Sequence, residues 1–452
     1  MRIHLIAIGG AAMHNLALAL YHNHHTVSGS DDEIYNPARD RLAKFGLLPE
    51  QEGWFPEKIT PDIDVIILGM HARKDNPELA KAIELGLPVY SYPEFIYHHA
   101  LHKTRVVIAG SHGKTTTTAM IMHALKQAGM DYDYLVGAQL EGFDTMVKLS
   151  DAPVMVIEGD EYPASPIDLV PKILHYHPHV AALTGIAWDH INVFPTFELY
   201  CEQFAKFLAT IEPSGSLAYF EPDPEIAKIL PAADQGIEKF PYQALPAQTI
   251  SGQTWLEHPR VPLQVFGQHN LANLHAAWLV CKQLGVSQAQ FFEAAQSFRG
   301  AAKRLQLLHQ QPGYTAYLDF AHAPSKVKAT TEAVKSLFPE RRLIACIELH
   351  TFSSLNKAFH PHYAHTLDAA EQAVVFYSEH TLEMKRLPAL DPDEVKAHFQ
   401  HPNLSIITQP DDLKAWLARQ DYGNTTLLLM TSGTFGGLNL KEVAADLGPK
   451  ES

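Results

Sequence analysis

Short apolar, β-rich runs alternate with helical stretches along the whole chain, and few architectures accommodate that alternation. It is the pattern of α/β domains, in which helices cover mostly parallel sheets. In the first block the strand candidates are Ile3–Ile8, Thr26–Ser28, Val65–Leu68 and Pro88–Tyr90, with a helix over Pro77–Leu85. A second series opens at Arg105–Ala109, enters a helix at Lys114, and continues through Val154–Ile157 and Val180–Thr184. A third has strands at Thr315–Asp319, Leu343–Glu348, Ala373–Tyr377, Ser405–Thr408 and Thr425–Met430. At ~100–200 residues per domain, 452 residues predict about three domains. We place them at 1–104, 105–300 and 301–452. The stretch from 221 to 265, rich in Pro, Gln and Gly, has the weakest pattern.

Composition narrows the function. Hydrophobic residues make up 46% and charged residues 19%, which excludes a disordered or fibrous chain. The 35 Lys+Arg against 50 Asp+Glu give a net charge of −15. That argues against a nucleic-acid or membrane-surface binder and leaves room for a local basic pocket. The three cysteines, Cys201, Cys281 and Cys346, lie far apart and read as core filler in a reducing compartment. No stretch approaches the ~18 consecutive apolar residues of a membrane helix. The apolar N-terminus breaks at Gly9-Gly10, unlike a signal peptide. A soluble, cytoplasmic protein is the expectation.

The strongest local signal is the string from Val106 to Thr117, VVIAGSHGKTTT. A strand ends in a Gly-rich loop (Gly110, Ser111, His112, Gly113), and Lys114-Thr115-Thr116 opens a helix. This is P-loop chemistry: backbone N–H groups curl round phosphates, the helix terminus adds positive potential, Lys114 neutralises charge, and the Thr115 hydroxyl can hold Mg²⁺. Ile108 stands where the usual spacing has a glycine, so the match is to the shortened form. Carboxylates follow the next strand at Glu158-Gly159-Asp160-Glu161, where Glu158 is placed to bind Mg²⁺. Asp160 and Glu161 divide evenly between that role and a solvated acidic turn. Asp189-His190 ends the following strand and offers a second ligand pair.

The first strand also runs into a glycine turn, Gly9-Gly10, and Asp31 follows 22 residues after Gly9. Two of the three glycines of a dinucleotide fingerprint are alanine here, so the turn suits a phosphate or nucleotide moiety without pointing to NAD. A plain strand–helix turn is the alternative. Single histidines among 27 carry little information. His22, His24 and His25, or His98, His99 and His102, could suggest metal sites, but we read most of them as solvated helix-end residues. His175-Tyr176-His177-Pro178-His179 reads as an edge strand without metal.

Three further strings complete a larger pattern: Gly267-Gln268-His269-Asn270-Leu271-Ala272-Asn273, Lys303-Arg304-Leu305, and Leu318-Asp319-Phe320-Ala321-His322-Ala323-Pro324. With the P-loop, the Glu158 cluster and Asp189-His190, they resemble the Mur ligase family in order and over the whole chain. The resemblance implies an N-terminal UDP-sugar-binding domain, a central ATPase domain and a C-terminal domain that takes the incoming amine. It implies ATP and Mg²⁺, with Lys114, Glu158 and His190 catalytic and Thr115, Glu158 and His190 at the metal. Asn270, Asn273, Arg304, Asp319 and His322 would meet the nucleotide, and Gly9, Gly10, Asp31 and His71 the UDP-sugar. Asn192, Leu318 and Ala323 depart from the family pattern.

Within the family, the N-terminus is similar to the branch that uses UDP-N-acetylmuramate. The acceptor is then either L-alanine or the tripeptide L-alanyl-γ-D-glutamyl-meso-diaminopimelate. The chain starts directly on its first strand, and Tyr35-Asn36-Pro37 and Glu158-Gly159-Asp160-Glu161-Tyr162 resemble the tripeptide-using type. At 351 and 354, where the alanine-using type is associated with arginines, this chain has Thr and Ser. A tripeptide could instead be met by remoter residues such as Lys357. A dehydrogenase would use Gly9 and Asp31 but leave the Lys114 loop unexplained. An inactive Mur-like binding protein would not need Lys114, Thr115, Glu158 and His190. Lys114 and Glu158 are read as serving phosphoryl transfer and not folding.

Overall fold

In a computed structural model, which describes residues 1–137, 143–188, 193–250, 252–301 and 303–448, the apolar runs pair into three main sheets. The first sheet contains β1 (Arg2–Ile6), β2 (Thr26–Ser30), β3 (Val65–Leu68) and β4 (Val89–Ser91), all parallel in the order β2-β1-β3-β4. β3 is apolar and buried throughout because helices cover both faces. The strand predicted over Ile3–Ile8 stops at Ile6, since Ala7 turns into the left-handed region at φ 68°. The helix Pro77–Glu84 is set by the Asn76 side chain, which accepts the Glu78 and Leu79 N–H groups, with proline at its first position.

The central sheet contains β5 (Thr104–Ala109), β6 (Asp133–Leu135), β7 (Val147–Lys148), β8 (Val154–Glu158), β9 (Val180–Leu183), β10 (Ser216–Phe220) and β11 (Glu238–Tyr242). Their order is β11-β10-β9-β5-β8-β6-β7, so β5 lies between β9 and β8 with its C-terminal end flanked by both of theirs. In open parallel sheets a ligand crevice forms at such a reversal of strand order, beyond the carboxyl ends. The stretch with the weakest sequence pattern supplies the helix Pro224–Ile229, then β11, then a small antiparallel sheet. That sheet is β12 (Ala247–Ile250), β13 (Gln253–Leu256) and β14 (Pro262–Leu263).

The last sheet has β15 (Gln306–Gln311), β16 (Tyr314–Asp319), β17 (Arg342–Glu348), β18 (Gln372–Phe376), β19 (Leu404–Ile407) and β20 (Thr425–Met430), in the order β15-β16-β20-β17-β18-β19. All pairs are parallel except β15 with β16. β20 returns between β16 and β17, which makes a second reversal point.

One histidine reading needs correction. The run 175–179 is not an edge strand: Lys172–His175 forms a 3₁₀ turn, Tyr176 is fully buried, and β9 lies inside the sheet. The cause is Arg105, whose Nε donates to the Tyr176 and His177 carbonyls at 3.0 and 2.8 Å and turns the chain inward. His175 pairs with Asp168 at 2.9 Å. With Glu94, which closes a capping box on Ser91, these make a set of three donors within 4.8 Å that the His–Asp ion pair already explains. His99 is not solvated either, since it meets the buried Asp133 carboxylate at 3.1 Å. Cys281 and Cys346 are buried, Cys201 is half-buried, and none is paired. Among the described residues no helix is long and apolar enough to cross a membrane.

Asp133 anchors the passage from the first sheet to the second. Fully buried, it accepts from Lys103 Nζ at 2.9 Å and from the Ser150 N–H at 3.0 Å. Burial alone would raise its pKa, but the bonds from His99, Ser150 and Lys103 more than offset this and leave it below the ordinary value. We predict that Asp133→Asn, by leaving the buried Lys103 ammonium with only the Ser150 and Ala152 carbonyls and no counter-ion, lowers stability by ~3–5 kcal/mol in urea titration at pH 7. A carboxylate with a depressed pKa stabilises above its unfolded pKa and stops doing so as pH falls through its folded value. The difference between the two proteins should therefore shrink below about pH 4.

Candidate active site

β5 delivers the loop 110–113 to the reversal point, and the helix Lys114–Gln127 begins directly after it. Gly110 and Gly113 sit at φ 129° and 76°, conformations that favour glycine. A side chain at Gly113 would strike the Asn273 carboxamide, so glycine here is what lets the helix Gln268–Gln283 close on the loop. Asn273 is thereby placed against the loop. Asn270, one turn earlier on the same helix, donates to the Phe266 carbonyl at 2.9 Å. Both are buried. Ser111 Oγ accepts the Ala187 N–H at 2.9 Å, and Thr116 is buried in the first turn.

Parallel pairing puts Ile108 opposite Glu158, which fixes the height of the carboxylate beside the loop. Thr115 Oγ1 donates to Glu158 Oε1 at 2.7 Å, and the Gly137 N–H donates to Oε2 at 2.9 Å. Thr115 and Glu158 thus form an all-oxygen pair, the donor set a hard divalent cation prefers. Lys114 Nζ donates to Glu161 Oε2 at 2.7 Å. Burial disfavours its charge, but Glu161, Asp160 and Glu158 more than compensate and raise its pKa above the ordinary lysine value. Glu161 is only 1% exposed, so this acid is no solvated turn but the buried ion-pair partner of Lys114. Asp160 pairs with Lys172 at 2.8 Å. Asp189, His190 and Asn192 lie outside the described residues.

The third sheet reaches the loop. Ser325, at the start of the helix Pro324–Leu337, lies 2.8 Å from His112 Nε2. Asp319 closes the turn that leads there, accepting the Leu305 and Ala321 N–H groups at 2.7 Å each. The Arg304 guanidinium stacks over Phe320 at 4.7 Å, and His322 Nδ1 meets the Phe320 carbonyl at 2.9 Å. Leu318 is packed inside β16, and Ala323 is the residue before the helix, so neither departure touches the Thr115–Glu158 pair.

Gly9, Gly10, Asp31 and His71 line one cavity of about 810 Å³ beyond the ends of β1 and β2. The Gly9 N–H donates to Asp31 Oδ2 at 2.7 Å. Burial and the neighbouring Asp32 hold the Asp31 carboxyl up at about 6 despite that bond. Arg41 is the cavity lining's arginine. Its guanidinium meets His14 Nε2 at 3.2 Å and the Asp144 carbonyl at 2.5 Å, bridging the first sheet to the second. His14 and Arg41 lie in no recognisable motif. What marks them is proximity alone.

At the reversal point of the last sheet, Glu348 is buried and accepts the Phe435 N–H at 2.8 Å and the Thr431 hydroxyl, with His350 Nδ1 3.6 Å away. Ser354 is fully buried and accepts the His350 and Thr351 N–H groups at 3.0 and 2.9 Å. It is a turn-former with no outward reach. Lys357 is exposed and pairs with Glu394 at 2.7 Å. Trp188 packs edge-on to Phe359 and His362 across the sheets, with ring centroids at 6.4 and 6.2 Å.

This geometry has known counterparts. The family models for the Mur ligase family catalytic domain, middle domain and glutamate ligase domain match residues 2–104, 108–281 and 303–433. A UDP-N-acetylmuramate–L-alanine ligase of Rubrobacter xylanophilus is 30% identical over 368 residues, 79% of this chain and 80% of its own. The UDP-N-acetylmuramate–L-alanyl-gamma-D-glutamyl-meso-2,6-diaminoheptandioate ligase of Escherichia coli is 27% identical over 453 residues, 98% and 97% of the two chains. The crystal structure of a murein peptide ligase from Psychrobacter arcticus superposes over 100% of both chains with a TM-score of 0.65 at 22% identity, a likeness of fold. The chain belongs to the Mur ligase family of ATP-dependent, ADP-forming ligases.

Proposed function

We propose that this ligase joins the carboxylate of UDP-N-acetylmuramate to the amino group of L-alanyl-γ-D-glutamyl-meso-diaminopimelate. The domains would divide at 104/105 and 300/301. In this reading the cavity around Gly9, Gly10, Asp31 and His71 takes the sugar nucleotide, and the loop 110–116 with Asn270 and Asn273 takes ATP. The carrying observation is the meeting of Lys114, Thr115 and Glu158 at adjacent strand ends. Thr115 and Glu158, with His190, would hold Mg²⁺, which when bound supplies neutralising charge at the transferring phosphoryl group. Lys114 holds a proton throughout and adds a second fixed positive charge. A muramyl carboxylate oxygen takes the terminal phosphoryl group as its bond to ADP breaks. The acceptor nitrogen then bonds to the acyl carbon, phosphate leaves, and the amine loses a proton. Arg304, Asp319 and His322, on the turn that brings the acceptor-side sheet to the loop, would meet the nucleotide from that side.

The tripeptide preference rests on the acceptor-side strand end. L-alanine is small and must be held by its carboxylate, for which arginine is the natural bidentate partner. Thr351 and Ser354 are spent on one another and on the turn, with Thr351 Oγ1 donating to Ser354 Oγ at 3.0 Å. A tripeptide would spread its recognition over remoter residues, and Lys357, exposed and paired with Glu394, would be one of them. L-alanine, the acceptor in the name of the Rubrobacter relative, is the second reading.

Three outcomes follow. Lys114→Ala should cut ligation by ~10²–10³-fold, the ~2.7–4 kcal/mol of one preorganised charged donor, and should also melt earlier because Glu161 stays buried. Binding of UDP-N-acetylmuramate, followed calorimetrically, should tighten as pH falls from 7 to 5, since a protonated Asp31 no longer repels a diphosphate. Asp31→Asn should flatten that profile. In steady-state kinetics with both acceptors, kcat/KM for the tripeptide should exceed that for L-alanine at least ~10-fold, about 1.4 kcal/mol of transition-state discrimination. A preference for free L-alanine would assign the chain to the second reading.

A further inference from the structure

We infer that Glu161 is a positioning residue for Lys114, acting as the built-in counter-ion that a bound phosphate chain must compete with. This rests on the reading that Lys114 faces nucleotide phosphates. Glu161 follows β8 on the loop beyond Glu158, and its side chain is 1% exposed. Its two carboxylate oxygens serve two different elements. Oε2 accepts from Lys114 Nζ at 2.7 Å, and Oε1 accepts from the Tyr200 hydroxyl at 3.0 Å. Tyr200 stands on the helix Phe197–Ala209 and is itself fully buried.

The direction of each hydrogen bond follows from the donors available. An ionised carboxylate only accepts, so the proton of Tyr200 is committed to Glu161. Tyr200 and Ser111 hydroxyls lie 2.8 Å apart, and the Ser111 proton must therefore point at the Tyr200 oxygen. Ser111 Oγ in turn accepts the Ala187 N–H at 2.9 Å. One buried carboxylate thus orients two polar side chains of the phosphate site, Ser111 through Tyr200 and Lys114 directly. The ammonium keeps two further N–H donors for a ligand. Its place is set by Glu161, and its net pull on an anion is reduced by the same group.

A counter-ion with this role has a split signature. Glu161→Gln removes the negative charge while keeping the shape, so ADP with Mg²⁺ should bind about tenfold more tightly, the scale of one charge-assisted hydrogen bond. In the same protein kcat should fall by at least about tenfold, because Lys114 is no longer held. Affinity and turnover then move in opposite senses, which simple loss of packing would not produce. Tyr200→Phe removes only the hydroxyl, is the milder change to the fold, and should shift both quantities in the same directions by a smaller factor. ADP titration calorimetry and steady-state phosphate release read the two quantities. The inference is overturned if Glu161→Gln, or Tyr200→Phe where the first variant does not fold, binds ADP no more tightly than the parent protein. Lys114→Ala separates the two levels of the argument. If it binds ADP as tightly as the parent, the nucleotide reading of Lys114 itself fails. If it binds more weakly while Glu161→Gln is unchanged, only the role of Glu161 falls.

Discussion

β5 is held in parallel between β8 and β9, and the phosphate site depends on that placement. With Ile108 opposite Glu158 and Ala109 opposite Leu183, three strand ends finish at the same height. The glycine loop, the acidic turn after β8 and the Thr184–Gly185 turn therefore share one crevice. A slip of one residue would send the Glu158 side chain to the other face of the sheet and break its contact with Thr115. The apolar, fully buried strands on both sides resist such a slip.

Inside the crevice, each of the three carboxylates has a partner before any ligand arrives. Lys114 faces Glu161, Thr115 faces Glu158, and Asp160 is drawn off by Lys172. Buried charges have to be paired, and here the pairing also preorganises the groups. The donors stay rigid without ligand, at the expense of affinity for an anion. The UDP-sugar side follows a different rule. Asp31 is kept partly protonated by burial near neutrality, and Arg41 reaches across to the Asp144 carbonyl.

Among the described residues, the acceptor-side domain meets the phosphate loop at Ser325 against His112, meets Trp188 with Phe359 and His362, and packs Tyr317 against Phe266. Polar and aromatic contacts are thus mixed at this junction. Between the first and second sheets, the buried Lys103–Asp133 pair anchors the chain.

Residue order alone determined the alternation of strands and helices, the start of a helix at Lys114 and the strand at Thr425–Met430. These are local: apolar period, glycine freedom and strand propensity act within a few residues. It also singled out Lys114, Thr115 and Glu158, because strand–glycine loop–helix is itself a local pattern. The depth of Glu161, the pairing of His99 with Asp133, and the inward turn at Tyr176 depended on contacts 34 to 71 residues apart in the chain. Nothing in a short window distinguishes a buried glutamate with a lysine partner from one in a solvated turn. Likewise nothing around Ser354 in the sequence shows that its turn consumes its hydroxyl. Tertiary structure decided those roles, because burial and partnership belong to pairs of residues that only folding brings together.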